Sequence, residues 1–272
     1  MARMVAWAAG ARRIIYTPQT IDIRQVRFRW LYVLIERALA SVTAAIISVN
    51  EADRSRLIRW GIPPHKVVTI PNGIALDPFT EGSVDARGLR RTLGLDENRP
   101  VVMQVGRLSA QKNPLAFVEG AARVARDRPD VQFALVGEGP LNEAVAARVR
   151  ALGLERRVHL LGWRDAAFKL MVAADVVSLT SGWEGTPYTI LEAMAWSRPV
   201  VATAVNGCPE IVRDGITGLL APPGDVEAWA RCVLRLLNDP ALSAQMGQQG
   251  RRRMEERFSL PAMISRIEKV YG

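Results

Sequence analysis

Two glutamates, Glu184 and Glu192, are separated by seven residues that begin with Gly185, Thr186 and Pro187. Proline is favoured at the first helical position, because its fixed φ suits a helix and its missing N–H would be unpaired there anyway. The spacing predicts a helix entered at Pro187, with Thr186 as N-cap and Ile190, Leu191, Met194 and Ala195 as its apolar face. The amides of Tyr188 and Thr189 then lack intrahelical partners, and the helix dipole adds partial positive charge. Such a tip suits an anion, phosphate above all. Glu184 falls in the loop before the helix and Glu192 about two turns in. They do not form an acid/base pair. A carboxylate accepts hydrogen bonds from hydroxyls, so each suits a grip on a polyol such as a sugar ring or a ribose. The plainer reading is a capped helix with one solvated glutamate and one in a salt bridge.

A second group lies earlier in the chain. Residues 101–105 (VVMQV) read as a buried strand that runs into Gly106 and Arg107, with Lys112 following. A strand, a Gly-bearing loop and a helix form the place where Rossmann-like folds hold phosphates. The GxGxxG spacing of a dinucleotide fingerprint is missing, and Arg107 and Lys112 instead offer a cationic grip on a diphosphate. Alone, they read equally well as two solvated loop cations. His159 sits in an apolar strand and reads as a satisfied core histidine.

These side chains need a scaffold, and the apolar pattern predicts one. Strands are expected at 13–17, 44–49 and 66–70, with helices at 28–40 and 50–60 between them; Asn50 to Asp53 is a capping-box variant. A transition over 76–100 holds a polar linker at 80–85 and a short helix at 87–93. Strands at 101–105, 131–136, 157–161, 175–179, 199–203 and 218–220 then alternate with helices. These helices span 114–126, a stretch ending at 152, and the central one at Pro187. Gly137-Glu138-Gly139-Pro140 reads only as a strand-to-helix turn. Helices at 226–238, 242–257 and 260–271 close the chain. Such alternation implies α/β structure with parallel sheets.

The run Glu-Gly-Thr-Pro, four residues, then Glu-Ala-Met-Ala, a Pro-Val-Val-Ala-Thr strand and a later Pro-Glu resembles the signature of the family-4 retaining glycosyltransferases. The resemblance extends to Gly-Arg-Leu and Lys-Asn at 106–113, and to Ser-Val-Asn-Glu and Ile-Pro-Asn-Gly-Ile earlier in the chain. It implies the GT-B architecture, in which two Rossmann-like domains face each other. A partial N-terminal, acceptor-side domain is expected over 1–78 and a complete C-terminal nucleotide-sugar domain over 79–258. A terminal helix over 259–272 would cross back to the first. The resemblance also implies roles for individual residues. Glu184 faces the donor sugar hydroxyls and Glu192 the ribose; Arg107 and Lys112 meet the pyrophosphate; the backbone at Gly162 and Trp163 faces the base. Packing alone is an equal reading of Trp163. The donor-binding set is thus Gly106, Arg107, Lys112, Gly162, Trp163, Glu184, Gly185, Thr186, Tyr188, Thr189 and Glu192, with Glu184, Arg107 and Lys112 catalytic. Two departures stand out. The first strands and the glycine-rich acceptor-side loop of the family are absent, and Gln19 stands where many relatives have His after Thr-Pro.

Composition narrows the partners. The formal net charge of +9 is carried almost wholly by arginine, which suits an anionic substrate or an anionic membrane surface. Basic residues are scattered and aromatics few, so no stacking platform for nucleic acid is evident. Two cysteines and two histidines make neither a disulfide framework nor a His/Cys metal site. The opening residues, 1–10, read as a helix leading into a strand and not as a cleaved leader. The expectation is an enzyme of the cytoplasm, peripheral at the inner face of the membrane, that needs no cofactor or metal. It would move a sugar from a nucleotide-diphosphate donor to a glycan or lipid-linked hydroxyl with retention of configuration. A nucleotide-sugar-binding module without transfer activity is the alternative from another class. An epimerase or phosphorylase of similar architecture would need acid/base groups or a cofactor lysine that are not found. An incomplete first sheet would expose a strand edge, so poor solubility or pairing with another chain is expected.

Overall fold

Strands that are apolar on both sides must be covered on both faces, and the structure, a computed structural model, covers them with helices. It describes residues 2–19, 21, 27–80, 82 and 84–272. The first unit comprises α1 (Ala2–Ala8), β1 (Ile15–Tyr16), α2 (Arg29–Ser41), β2 (Ala45–Ser48), α3 (Glu51–Arg59) and β3 (Val67–Thr69). The second begins with α4 (Ala86–Thr92), β4 (Val101–Val105), α5 (Pro114–Asp127), β5 (Gln132–Val136), α6 (Asn142–Ala151) and β6 (Val158–Leu160). It continues with β7 (Val176–Leu179), α7 (Tyr188–Ala195), β8 (Val200–Thr203), α8 (Cys208–Ile211) and β9 (Leu219–Ala221). The helices α9 (Val226–Asn238), α10 (Pro240–Arg257) and α11 (Leu260–Tyr271) follow. The linker expected over 80–85 falls partly on Glu81 and Ser83, outside the described residues.

All described strand pairs are parallel. One sheet has the order β1-β2-β3 and the other β6-β5-β4-β7-β8-β9. In the larger sheet the chain winds outward from β4 to β6, returns to the centre, and winds the other way from β7 to β9. The strand order therefore reverses between β4 and β7. Ligands of such sheets bind outside the carboxyl ends of the strands at this reversal.

The pleat divides the larger unit's core. Met103, Val105, Val177 and Leu179 face Ile190, Leu191 and Met194 of α7, while Val102, Phe133, Leu135 and Val176 face Phe117, Val233 and Trp229. Each fully buried side chain of this size stabilises by about 1.5–3 kcal/mol. Trp229 donates its indole N–H to Ser178 Oγ (3.0 Å) and packs on Gly120, where a Cβ would fall 2.2 Å from the ring.

Local chemistry sets most boundaries. Asp225 accepts from Ala228 N (2.8 Å), and Asp239 accepts from Leu242 N (2.9 Å). Asp239 followed by Pro240 starts α10 two residues before the expected 242, with proline at its first position. Three elements were not anticipated: 3₁₀ segments at Pro64–Lys66 and Ala167–Ala173 and the short helix α8. In the second segment the Phe168 carbonyl accepts from Trp196 Nε1 (2.8 Å). Cys208–Ile211 forms α8, with Pro209 in its first turn. The arginine run at 251–253 is partly structural. Arg251 donates to Phe79 O (3.0 Å), and Arg253 to Ile211 O (2.8 Å) and Glu210 O (2.7 Å).

Helix α11 is tied to the first unit. Leu260 N donates to Ile74 O (2.8 Å), and Arg13 donates to Val270 O and Tyr271 O, both at 2.6 Å. On the outer side of that unit, Met4, Val5 and Trp7 of α1 and Leu31, Leu34 and Ile35 of α2 are exposed. No helix among the described residues is long and apolar enough to cross a membrane.

Candidate active site

The carboxyl ends of β4, β5 and β6 are stepped together by glycines. Gly106 has φ +152° and donates its N–H to Val136 O (2.9 Å). Gly137 has φ +132°, and a Cβ there would fall 2.1 Å from Gly106 O. Its N–H in turn donates to Gly162 O (2.8 Å). Only glycine fits such backbone approach at positive φ. The result is a floor of bare main chain beside the sheet reversal.

Lys112 is aimed by its neighbours. The stem of its side chain lies about over Gly106, with Cε 3.6 Å from the position of a Cβ there. Buried Gln104 donates Nε2 to Lys112 O (3.1 Å), and Thr180 Oγ1 lies 2.9 Å from both Gln104 Oε1 and Asn113 O. The two loops are then joined from Gly182 N to Gln111 O (2.8 Å) and from Gln111 Nε2 to Trp183 O (3.2 Å). Across this junction Lys112 Nζ meets Glu184 Oε1 at 2.6 Å, and Ser181 Oγ donates to the same oxygen at 2.5 Å. Glu184 is only 4% exposed. A carboxylate so buried requires both charge and hydrogen-bond compensation.

The helix behind this pair starts one residue later than the spacing predicts. Pro187, with extended backbone, occupies the N-cap position of α7, and no side chain caps it. Thr186 is therefore not the cap. Its hydroxyl is drawn to the first unit, donating to Val49 O (2.8 Å) and accepting from Asn72 N (3.5 Å). The amides of Ile190 and Leu191 return to Pro187 O at 3.1 and 3.5 Å, while those of Tyr188 and Thr189 reach no described acceptor. Thr189 Oγ1 donates to Val105 O (3.3 Å), locking the helix tip to the end of β4. Tyr188 is exposed.

The plain reading of the two glutamates holds only in part. Glu184 is in a salt bridge but buried, and Glu192, half-buried and not freely solvated, has no hydrogen-bond or ion-pair partner among the described residues. Burial holds the Glu192 carboxyl above its ordinary range, with the Lys112 charge opposing that rise. Arg107 lies exposed just past β4, and its guanidinium pairs with no described carboxylate. Trp163 is 64% exposed beyond β6 and does not serve as core packing. His159 is not a satisfied core histidine: its buried Nε2 finds no partner among the described residues, and burial lowers its pKa. Among the described residues no group of three or more His, Cys, Asp or Glu could hold a metal ion.

Sequence reasoning passed over Gln104, Ser181 and Gly137. A glutamine inside the apolar run VVMQV was the available signal for the first. Gly137 was visible only as part of a turn, because nothing in the sequence tells that its carbonyl neighbour comes from another strand.

A doubly wound parallel sheet with bare glycine ends, a buried Lys–Glu pair and an open helix tip at the reversal defines a Rossmann-like unit suited to a phosphate-bearing polyol. The chain belongs to the glycosyl transferases group 1: residues 85–253 match that family's model, and residues 1–73 match the glycosyl transferase 4-like domain. It is similar to the UDP-Gal:alpha-D-GlcNAc-diphosphoundecaprenol alpha-1,3-galactosyltransferase of Escherichia coli, at 28% identity over 100% of this chain and 72% of the relative. To the alpha-D-kanosaminyltransferase of Streptomyces kanamyceticus it is 32% identical, over 87% of this chain and 62% of that one. Among solved structures it is similar to Anabaena HepE in complex with UDP, with a TM-score of 0.91 and 26% identity over 99% of this chain and 74% of that one. The architecture is thus of the GT-B type that the central motif implied, and this chain spans only part of the length of these relatives.

Proposed function

We propose that this protein transfers a sugar from a nucleotide-diphosphate donor to the hydroxyl of a glycan or lipid-linked acceptor, with retention of configuration. The observation that carries the reading is the convergence of Lys112, Glu184 and the open tip of α7 at the strand-order reversal. The UDP complex of the HepE relative supports it. In this reading the diphosphate rests between the amides of Tyr188 and Thr189 and the cations Arg107 and Lys112. Glu192 receives the ribose hydroxyls and Glu184 the sugar hydroxyls. Gly106 and Gly185 leave room for the donor, and Gly162 and Trp163 flank the base. Thr186 is removed from direct donor contact by its bond to Val49 and acts by fixing the loop.

The costly step is charge building on the departing diphosphate. Preorganised donors stabilise that charge without rearranging, and losing one costs about a hundredfold or more in rate. No nucleophile paired with a base is part of this reading. The acceptor hydroxyl attacks from the face that the leaving group vacates. The bond from the sugar carbon to the diphosphate oxygen breaks, and that departing oxygen takes the hydroxyl proton. Neither a cofactor nor a divalent metal is assigned. Contact with an anionic membrane is part of the same proposal, supported by the exposed apolar stripe of α1 and α2 amid arginines.

A binding module without transfer activity is the second reading, favoured by Gln19, an amide held by Asn72 Nδ2 (2.8 Å) at the position where the resemblance expects a histidine. Thermal unfolding with UDP, GDP, ADP and their sugars tests donor binding, and turnover with an acceptor extract separates the two readings. Glu184→Ala should abolish the extra stabilisation given by the sugar and keep that given by the bare nucleotide. If both persist unchanged, Glu184 has been assigned wrongly.

A further inference from the structure

The amides that open α3 are capped from both units. Asn50 Oδ1 accepts from Asp53 N at 2.7 Å. The two amides before it, Glu51 and Ala52, donate to Oε1 of Glu210 at 2.8 and 3.4 Å, and Glu210 lies on α8 of the other unit. A helix leaves its first amides without internal partners, so α3 is fully capped only while the units keep this arrangement. The same junction carries the donor loop. Thr186 donates to Val49 O just ahead of α3. Gly207 packs so closely that a Cβ there would fall 2.0 Å from Gly185 O and 3.2 Å from Asn50 Cβ. Behind α8, Arg253 donates to the main-chain oxygens of Glu210 and Ile211, fixing the short helix in place.

We propose that Glu210 is a positioning residue. By carrying the first two amides of α3 it sets the first sheet against the loop 185–187, and so governs sugar transfer without touching the donor. This rests on the assignment of the α7 tip as the donor site. A carboxylate suits the task because a helix N-terminus favours negative charge.

Two variants separate positioning from plain stability. Glu210→Ala removes the acceptor, whereas Glu210→Gln keeps an oxygen acceptor and loses the charge. Spin labels at Ser55→Cys on α3 and at Glu155→Cys after α6, in a Cys232→Ser background, report the distance between the units whether or not sugar is transferred. The expected result is a broadened distance distribution in Glu210→Ala and a nearly native one in Glu210→Gln. Turnover of a UDP-sugar should fall about ten- to a hundredfold in the alanine variant, with KM and the Kd for UDP within about twofold of wild type and partial rescue by glutamine. Unchanged distances in Glu210→Ala would overturn the latch. Broadened distances with undiminished turnover would overturn its role in transfer, and a matching loss of UDP affinity would make Glu210 a donor ligand instead. A wild-type protein that ignores UDP defeats the functional proposal, while the distance measurement still decides the latch.

Discussion

Lys112 and Glu184 form the pair on which the site turns, and each depends on the other. Glu184 is almost fully buried, so removing the lysine leaves an uncompensated charge. Lys112→Met should therefore destabilise the fold by about 3–5 kcal/mol. Lys112→Met with Glu184→Gln should recover most of that loss, because no buried charge remains; denaturant unfolding of the two singles and the double checks it. Equal stability of the lysine single and the double would mean that the ion pair is screened. Glu192 gives a second test. Its folded pKa lies above the ordinary value of 4.5 because of burial. Such a group adds stability that is present below the ordinary value and lost as pH rises through the raised one. In the proposed role the ribose hydroxyls would donate to the ionised form, so UDP affinity should weaken as pH falls through that raised value. Calorimetric titration at falling pH should show a steeper loss in wild type than in Glu192→Gln, whose remaining slope is that of UDP's own phosphate. Both glutamates were legible from their spacing, but their environments were not. Which one is buried depends on Lys112 and Ser181 closing over Glu184, contacts that no local pattern encodes.

Most helices and strands were readable because their signals are local. Strand 101–105 and helices 226–238 and 260–271 fall where apolar period, caps and glycines put them. The misses have non-local causes. Thr186 has the chemistry of an N-cap, yet a carbonyl from the first unit takes its hydroxyl. The Ala167–Ala173 segment is held by Phe168 and Trp196, which the sequence separates widely. Strand ends approach one another just as invisibly. Gly137→Ala combines φ +132° with a Cβ 2.1 Å from Gly106 O, and should cost about 1–3 kcal/mol in strain plus a similar steric term. Chemical denaturation should register the loss, with UDP binding reduced because the floor beside Gly106 has moved. A substitution at Gly94, which has positive φ but nothing within 4 Å, should leave UDP binding intact.

Across the whole molecule, charge and apolar surface coincide on the first unit. The first 43 residues hold seven arginines and two acidic residues, and Glu36 among the latter is buried against Arg3 at 2.6 Å. Trp7 of α1 and Trp30 of α2 are both exposed, and amphipathic surfaces rich in arginine and tryptophan bind anionic lipid interfaces. Sedimentation with phosphatidylglycerol vesicles should recover the protein at low salt, and phosphatidylcholine vesicles should not. Trp7→Ser with Trp30→Ser should weaken that recovery; self-association that survives without lipid would give the face to a second copy instead. The GT-B type was legible from the chain because its central motif is long and its elements alternate regularly. How the two units meet was not, since Glu210 and Thr186 act across the junction. The donor site itself is tested most directly by a crystal structure with UDP bound. Density for the diphosphate should lie within hydrogen-bonding reach of the Tyr188 and Thr189 amides, with Arg107 or Lys112 on its other side. A diphosphate seated anywhere else on the sheet would contradict the account.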